Sequence, residues 1–216
     1  MKFFVDTAVL EEIRKACDLG IISGVTTNPV LVRRSGTQDL ERRIKEIREV
    51  IGEGEILTQV IARDEDEIVR QAEIIHSWDS NITVKVPLTL GGIPAIARLT
   101  KMNIPTCATV VFDAAQALAA AAAGTKYVAY FLNRTNVLGI SGFSMMQDVV
   151  DSFKKQNLST QVIAASIDSA FDVLKSIKMG VDVVTAPYEV YRALIRNEAS
   201  YATVEEFLEG WTGKEV

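Results

Sequence analysis

The sequence has few of the residues that build disulfides, metal sites and histidine-based catalytic triads. Its 216 residues include two cysteines, Cys17 and Cys107, and one histidine, His76. The two cysteines form no CxxC motif and lie in apolar contexts, so we expect buried, reduced thiols in a reducing compartment. A single histidine leaves little with which to build a His-based metal site or a Ser-His-Asp triad.

Excess positive charge and long apolar runs are also absent. The formal net charge is -5, and no basic cluster is longer than the pairs Arg33-Arg34 and Arg42-Arg43, which argues against generic nucleic-acid binding. The most apolar window, residues 108–124, is mostly alanine and does not resemble a membrane span. The apolar run before Asp6 has only three residues, Phe3 to Val5, too few for a signal-peptide core. We therefore expect a soluble, cytoplasmic protein with no nucleic-acid or membrane partner.

What the sequence does contain is a regular alternation of short apolar runs with helical patterns. Leu40, Ile44 and Ile47, for example, have the spacing of one helix face. The runs are continuously apolar, which is typical of strands buried on both faces. Eight strands are predicted, at residues 3–6, 24–28, 56–60, 82–86, 106–111, 127–133, 161–166 and 182–185.

This alternation predicts an α/β protein with a parallel sheet. Eight units in 216 residues have about 27 residues each, which is compact for an eight-stranded (βα)8 TIM barrel of typically ~250 residues. The alternative is an open doubly wound sheet, which usually has a glycine-rich loop after its first strand. Here no glycine follows the first strand until Gly20, so the sequence favours a single barrel over residues 1–200.

One helical pattern remains after the eight units. Thr203–Glu206 matches a capping box, and Val204, Leu208 and Trp211 follow at helical spacing with Phe207 beside them. We expect an extra C-terminal helix over residues 201–216 that packs on a neighbouring subunit. The alternative is that this helix folds back on its own barrel.

Polar side chains recur where the predicted strands end. In a barrel of this kind the active site lies at the carboxyl ends of the strands, so these residues form the candidate site. They come from seven strands: Asp6, Thr26 to Asn28, Gln59, Lys85, Thr109, Asn133-Arg134 and Ser166.

Lys85 is the most informative of these residues because it lies inside an apolar strand. A buried ammonium must pair with another group or lose its proton, and a neutral lysine can attack a carbonyl to form a Schiff base. Three simpler interpretations stay open at this point. Lys85 could extend to solvent or pair with Asp6 for structure, Asp6 could cap the first helix, and Asn28-Pro29 could be a turn.

Three motifs in this order resemble the transaldolase family, specifically its small subgroup of fructose-6-phosphate aldolases and short microbial transaldolases. They are Phe4-Val5-Asp6-Thr7, Gly24-Val25-Thr26-Thr27-Asn28-Pro29 and Val84-Lys85-Val86-Pro87. The similarity extends from Met1 to the tail at 207–211. It implies a βα barrel and a class I aldolase mechanism without a metal or other cofactor. It also implies a homo-oligomer, a pentamer or a decamer.

The resemblance also assigns roles to the candidate residues. Lys85 matches the Schiff-base lysine, and Asp6 matches the acid/base that handles a substrate hydroxyl. The remaining assignments are Asn28 for the donor hydroxyls, Gln59 and Thr109 for a catalytic water, Arg134 and Ser166 for the anionic end of a sugar phosphate, and Thr26 and Phe131 for further substrate contacts.

Three positions decide how the resemblance is interpreted. At position 59 this chain has Gln, as the aldolases do, whereas transaldolases have Glu. At position 131 it has Phe, as transaldolases do, whereas the aldolases have Tyr. Asp168 stands where relatives usually carry Arg or Lys, and its carboxylate would disfavour a phosphate unless it pointed away.

We therefore expect an enzyme that transfers a dihydroxyacetone unit from a ketose, such as fructose 6-phosphate, to an aldehyde, or releases it to water. The first alternative is another lyase or isomerase that uses Lys85 as a base. The others are action on a different anionic or non-phosphorylated sugar, and a barrel that only binds sugar.

Overall fold

Eight parallel strands close into one barrel in the computed structural model, which describes residues 1–211 and 213. Each strand pairs with the next along the chain, and β8 pairs with β1, from Lys2 opposite Val183 to Val5 opposite Ala186. This closing pair confirms the TIM barrel and excludes the open sheet. The strands are β1 Lys2–Asp6, β2 Ile22–Thr26, β3 Glu55–Gln59, β4 Ile82–Pro87, β5 Thr106–Val111, β6 Tyr127–Phe131, β7 Gln161–Ala165 and β8 Val183–Ala186.

Helices follow the strands and form the outer layer of the barrel. They are α1 Leu10–Asp18, α2 Pro29–Arg34, α3 Leu40–Ile51, α4 Glu65–Trp78, α5 Gly92–Lys101, α6 Ala114–Ala122, α7 Leu132–Val137, α8 Gly142–Lys155, α9 Ala170–Met179, α10 Tyr188–Ile195 and α11 Glu198–Gly210. Among the described residues, no helix is both long and apolar enough to cross a membrane.

Two strands end two residues earlier than the sequence predicted, because the next helix begins at once. β2 ends at Thr26, since Asn28 caps α2 and Pro29 is its first residue. β6 ends at Phe131, and α7 begins at Leu132. Arg134 therefore lies on a helix above the barrel mouth and not on a strand.

Side-chain alternation divides the apolar residues into two layers. On β4, Val84 and Val86 pack against the helices, whereas Lys85 points into the barrel. Gly24 leaves the room that the Phe4 ring occupies, since a Cβ there would lie 2.6 Å from it. The inner apolar cluster comprises Phe4, Leu57, Cys107, Tyr127, Ala129, Ile163, Ala165 and Val183.

Both cysteines are free thiols, as the sequence predicted, but they differ in burial. Cys107 is fully buried inside the barrel, whereas Cys17 on α1 is only partly buried. The expectation that both thiols are buried is therefore correct for Cys107 alone.

The C-terminal helix is present, but it begins before the predicted capping box. Asn197 caps α11 by accepting a hydrogen bond from the Ala199 N–H, so Thr203 lies in the middle of the helix. Residues 212 and 214–216 of the predicted helix lie outside the described residues. α11 has no buried side chain, and Val204, Phe207 and Leu208 are 51%, 71% and 64% exposed. The interpretation that α11 folds back on its own barrel is therefore wrong.

The floor of the barrel, at the amino ends of the strands, is closed by a hydrogen-bonded carboxylate. Glu55 accepts hydrogen bonds from Thr83 Oγ1 at 2.6 Å, Lys126 Nζ at 2.6 Å and Tyr127 Oη at 2.8 Å. Burial raises the pKa of Glu55, but these hydrogen bonds outweigh it and hold the pKa below its ordinary value. The charged form of Glu55 therefore stabilises the folded barrel.

We predict that Glu55→Gln lowers the free energy of unfolding by about 1–3 kcal/mol at pH 7. A carboxyl whose pKa is lower in the folded chain stabilises it above the unfolded pKa of roughly 4.3, and this stabilisation is lost as pH falls through the folded pKa. The difference from wild type should shrink in urea titrations between pH 6 and pH 3. Glu53→Gln, at an exposed position two residues away, is the control. An equal loss in both variants, or a pH-independent loss, would contradict the prediction.

Candidate active site

A cavity of about 540 Å³ opens at the carboxyl ends of the strands and is lined from all eight of them. This is the end at which the sequence placed the site. Eight of the nine predicted site residues line the cavity: Asp6, Thr26, Asn28, Gln59, Lys85, Phe131, Arg134 and Ser166. The ninth, Thr109, is fully buried beside it.

Lys85 is held inside this cavity and does not extend to solvent. The residue is 6% exposed, and Nζ donates a hydrogen bond to the Thr27 carbonyl at 3.0 Å. Within residues 1–211 and 213, Lys85 forms no ion pair with Asp6 or with any other carboxylate at the 4.0 Å limit. The solvent-exposed and ion-paired interpretations are therefore both wrong. The amine faces the cavity with one hydrogen bond to the protein.

Asp6 is held by a chain of hydroxyl groups from two neighbouring strands. Thr26 Oγ1 donates to Asp6 Oδ1 at 2.6 Å and lies 2.5 Å from Thr185 Oγ1. Because the proton of Thr26 goes to the carboxylate, Thr185 must donate to Thr26. Asp6 does not cap the first helix, since α1 begins at Leu10 and Val9 precedes it. The carboxylate is instead oriented at the cavity wall.

Asn28 combines a structural role with a place in the cavity. Its Oδ1 accepts hydrogen bonds from the N–H groups of Val30 and Leu31, at 3.0 and 3.1 Å, so the residue caps α2. The interpretation of Asn28-Pro29 as a turn is therefore wrong, because the pair begins a helix, although Asn28 does have a structural role. Because Oδ1 is occupied by the cap, the Nδ2 amide group is the part of the side chain free to donate to a ligand.

A bulge in β5 separates Thr109 from the cavity surface. The pairing of β5 with β6 shifts between Ala108 and Val111, and Val110 adopts a φ of 64°, which is strained for a β-branched residue. Val110 lines the cavity, whereas the buried Thr109 hydroxyl has no hydrogen-bond partner among the described residues. A buried hydroxyl in this state favours a polar ligand.

The far side of the cavity combines an aromatic ring with two charges of opposite sign. The Phe131 ring packs edge-on against Phe112, with centroids 6.0 Å apart, and Arg134 Cζ lies 5.8 Å from the Phe131 centroid. Ser166 follows β7 with a φ of 57°, and Asp168 also lines the cavity. Arg134 and Asp168 are both exposed, so a ligand at this end meets a guanidinium and a carboxylate.

Three cavity residues with polar or titratable side chains escaped the sequence analysis. Thr185 is the last residue of the predicted eighth strand and has a polar side chain, so the rule used for the other seven strands would have found it. Arg34 escaped because it lies on α2, beyond the strand end. Cys107 is apolar in context and forms part of the cavity wall. Burial raises the pKa of its thiol to about 12 despite the opposing charge of Lys85, so it stays protonated.

A profile of the family Transaldolase/Fructose-6-phosphate aldolase matches residues 3–213. This chain belongs to the transaldolase/fructose-6-phosphate aldolase family. The match covers almost the whole chain, including every strand that lines the cavity. It confirms the resemblance drawn from the three motifs and makes small sugars the expected class of substrate.

Curated relatives agree with this membership over their full length. The chain is 39% identical over 211 residues to a probable transaldolase of Clostridium kluyveri, covering 98% of this chain and 97% of the relative. It is also 39% identical to a probable transaldolase of Exiguobacterium sibiricum, covering 98% of each chain. A third, from Clostridioides difficile, is 36% identical over 213 residues, covering 99% of this chain and 98% of the relative.

Solved structures that match the fold are more distant. A mandelate oxidase variant superposes with a TM-score of 0.61 and 16% identity, covering 87% of this chain and 64% of the oxidase. A flavocytochrome b2 variant gives a TM-score of 0.62 and 13% identity, covering 87% of this chain and 56% of the flavocytochrome. At such identities the likeness concerns the barrel alone. In the described part of the chain, no three His, Cys, Asp or Glu side chains are grouped to hold a metal ion.

Proposed function

We propose that this protein is a class I aldolase or transaldolase that forms a Schiff base with a ketose through Lys85. Its products would be an aldehyde and a dihydroxyacetone unit, which passes to an acceptor aldehyde or to water. The observation that carries the proposal is the buried Lys85 amine, which shares one cavity with the oriented carboxylate of Asp6 and is not neutralised by it.

The chemistry follows from these two groups. The Lys85 amine attacks the C2 carbonyl of a ketose such as fructose 6-phosphate, and the resulting carbinolamine takes up one proton and loses water to give an iminium ion. Asp6 takes the proton of the C4 hydroxyl while the C3–C4 bond breaks, and the bonding electrons move into the iminium to form an enamine. The aldehyde formed from C4 leaves. An acceptor aldehyde, or a proton followed by water, then completes the reaction.

The other cavity residues would hold the two ends of the sugar. Thr26 and Thr185 orient the Asp6 carboxylate, and the free amide of Asn28 can donate to hydroxyls of the three-carbon donor unit. Gln59 would hold the water that hydrolyses the imine, whereas Thr109, which the bulge keeps from the cavity surface, lacks the direct access that this role needs. Arg134 and Ser166 would bind the terminal phosphate, as a guanidinium and a hydroxyl can.

Asp168 should make the preference for a phosphorylated substrate only moderate. Its carboxylate lines the cavity near Arg134 and Ser166 and offsets part of the attraction for an anion. We therefore propose that the enzyme also accepts non-phosphorylated sugars.

A cytoplasmic location is supported by the two free cysteines.

We predict that Lys85 carries the covalent intermediate. Borohydride reduction in the presence of fructose 6-phosphate should add the mass of a reduced three-carbon unit to the peptide that contains Lys85. Lys85→Met should abolish both the adduct and turnover, whereas Lys101→Met, at an exposed position on α5, should keep both. An adduct on another residue would refute the assignment. Turnover without any reducible adduct would favour the alternative in which Lys85 acts as a base.

The division between transfer and release depends on how water reaches the imine. Phe131 packs beside Phe112 and Arg134 at the cavity wall and has no hydroxyl with which to donate a proton. Gln59 can orient a water molecule but cannot exchange a proton with it. Protonation of the enamine and hydrolysis of the imine should then be slow, so an aldehyde acceptor competes well. We propose that transfer dominates.

Phe131→Tyr is expected to raise the ratio of dihydroxyacetone release to transfer, because it adds a proton donor to the cavity wall. A general acid of this kind contributes typically ~10²-fold or more when well placed, so an increase of at least about fivefold is a cautious expectation. The measurement is dihydroxyacetone release with and without an acceptor. Phe112→Tyr, which adds a hydroxyl to the neighbouring ring, is the control. If the ratio stays the same, position 131 does not govern the division.

We propose that α11 packs on a neighbouring subunit of a homo-oligomer, a pentamer or a decamer as in the family resemblance. The support is that α11 stands away from its own barrel with its apolar side chains exposed, and that Trp211, 62% exposed, extends this surface. A monomer rarely leaves such a surface uncovered, since burying one large apolar side chain contributes about 1.5–3 kcal/mol.

Light scattering should therefore give a mass of five or ten chains of 23.7 kDa. The double variant Phe207→Ser, Leu208→Ser removes two exposed apolar side chains and should shift the protein toward smaller species. Glu206→Ser, on the same helix, should not. A wild-type monomer at micromolar concentration would contradict the proposal.

A further inference from the structure

A continuous chain of hydrogen bonds links the helix that carries Arg134 to the loop that carries Ser166 and Asp168. At its centre is Asp172, in the first turn of α9 and only 8% exposed. Its Oδ2 accepts from Asn133 Nδ2 at 3.0 Å and from the Asp168 N–H at 3.2 Å. One carboxylate oxygen therefore joins α7 to the loop between β7 and α9.

Asp172 is a buried carboxylate satisfied by neutral donors. Its own N–H donates to Ser169 Oγ, the cap of α9, at 3.1 Å, and the positive end of the α9 dipole favours its charge. Among the described residues it forms no ion pair. Its side-chain hydrogen bonds thus go to the two segments that hold the predicted anion-binding residues.

The chain continues through α7 to the start of α8. Asn133 Oδ1 accepts from Asn136 Nδ2 at 2.9 Å, and Asn136 Oδ1 accepts from the Gly142 N–H at 2.8 Å. The Asn133 N–H also donates to the Ser166 carbonyl at 3.2 Å. Asn133 is therefore bound on three sides, and Arg134 is the next residue along α7.

The segments that carry Ser166 and Arg134 need these hydrogen bonds, because their local conformational preferences do not fix their positions. Ser166 has a φ of 57°, a left-handed conformation that serine rarely adopts. Arg134 is exposed and forms no ion pair among the described residues, so the orientation of α7 decides where its guanidinium points. A shift of about 1 Å in a binding group can change a rate by ~10²-fold.

We infer that Asp172 is a positioning residue for the anionic end of the substrate. Through Asn133 and the backbone of Asp168 it sets the separation of Arg134 and Ser166, which bind a terminal phosphate. This inference rests on the proposed function, because it assigns Arg134 and Ser166 to that phosphate. It adds a residue that never touches the substrate and was not among the predicted site residues.

The test compares two substitutions at this position. Asp172→Ala removes the acceptor, so the KM for D-glyceraldehyde 3-phosphate as acceptor should rise at least about fivefold relative to the KM for D-glyceraldehyde. Asp172→Asn keeps one oxygen that can accept both hydrogen bonds and should recover most of this ratio. Asp148→Ala, at an exposed position on α8, should match wild type. A parallel rise in both KM values in Asp172→Ala would show a general structural role and overturn the inference.

A second variant tests the inference even if Asp172→Ala does not fold, and a binding measurement tests it without turnover. Asn133→Ala breaks the same link while leaving the α9 cap intact, and should give the same KM ratio if Asp172→Ala fails to fold. Calorimetry with inorganic phosphate should show weaker binding in both variants. An unchanged phosphate affinity would overturn the inference. If wild type forms no borohydride adduct while the two variants still bind phosphate more weakly, only the Schiff-base function is refuted.

Discussion

The pairing of β8 with β1 is the interaction on which the rest of this molecule depends. It joins residues more than 180 positions apart, from Lys2 opposite Val183 onward, and turns an open sheet into a barrel without edges. The Thr185–Thr26–Asp6 chain crosses this seam, because its members lie on β8, β2 and β1. The orientation of the proposed acid/base therefore depends directly on closure of the barrel.

Closure also gives the barrel two chemically different ends. At the floor, Glu55 is satisfied by Thr83, Lys126 and Tyr127, so the polar groups there form a closed network. At the mouth, the Lys85 amine and the Asn28 amide keep donors that no other described residue uses. Unused donors around a cavity provide for a ligand, whereas satisfied ones stabilise the fold. All eight strands run parallel, so their amino ends form the floor and their carboxyl ends form the mouth.

The cavity combines features that separate the two activities of its family. Gln59 and Phe131 face one space, and neither can donate a proton to an enamine, while Asp168 reduces the positive charge at the end where Arg134 lies. Outside the cavity, Asp172 links the two segments of the proposed anion-binding end, and α11 presents an apolar surface. Catalysis, anion binding and subunit packing are thus proposed for separate sets of residues. Substitutions in one set should leave the other two properties measurable.

The sequence by itself determined the parts of this protein that depend on local pattern. Eight apolar runs predicted eight strands, and the rule that parallel strands end at one face brought Asp6, Asn28, Gln59 and Lys85 to a single cavity. An apolar run is a local property of the sequence, so these inferences needed no knowledge of distant contacts. The order of the three motifs was enough to recognise the family.

The tertiary structure decided what depends on contacts between distant segments. Whether Asp6 caps a helix or accepts from Thr26 depends on where β2 lies, and the link from Thr26 to Thr185 spans 159 residues. The capping box predicted at Thr203 is wrong, and α11 starts before the predicted residue 201, because Asn197 offers a cap as soon as α10 ends. Nothing in the sequence distinguishes Asp172 from an ordinary helix residue, because its partner Asn133 on α7 lies 39 positions away. A hydrogen bond needs two partners within about 3 Å, and only the closed barrel brings these partners together.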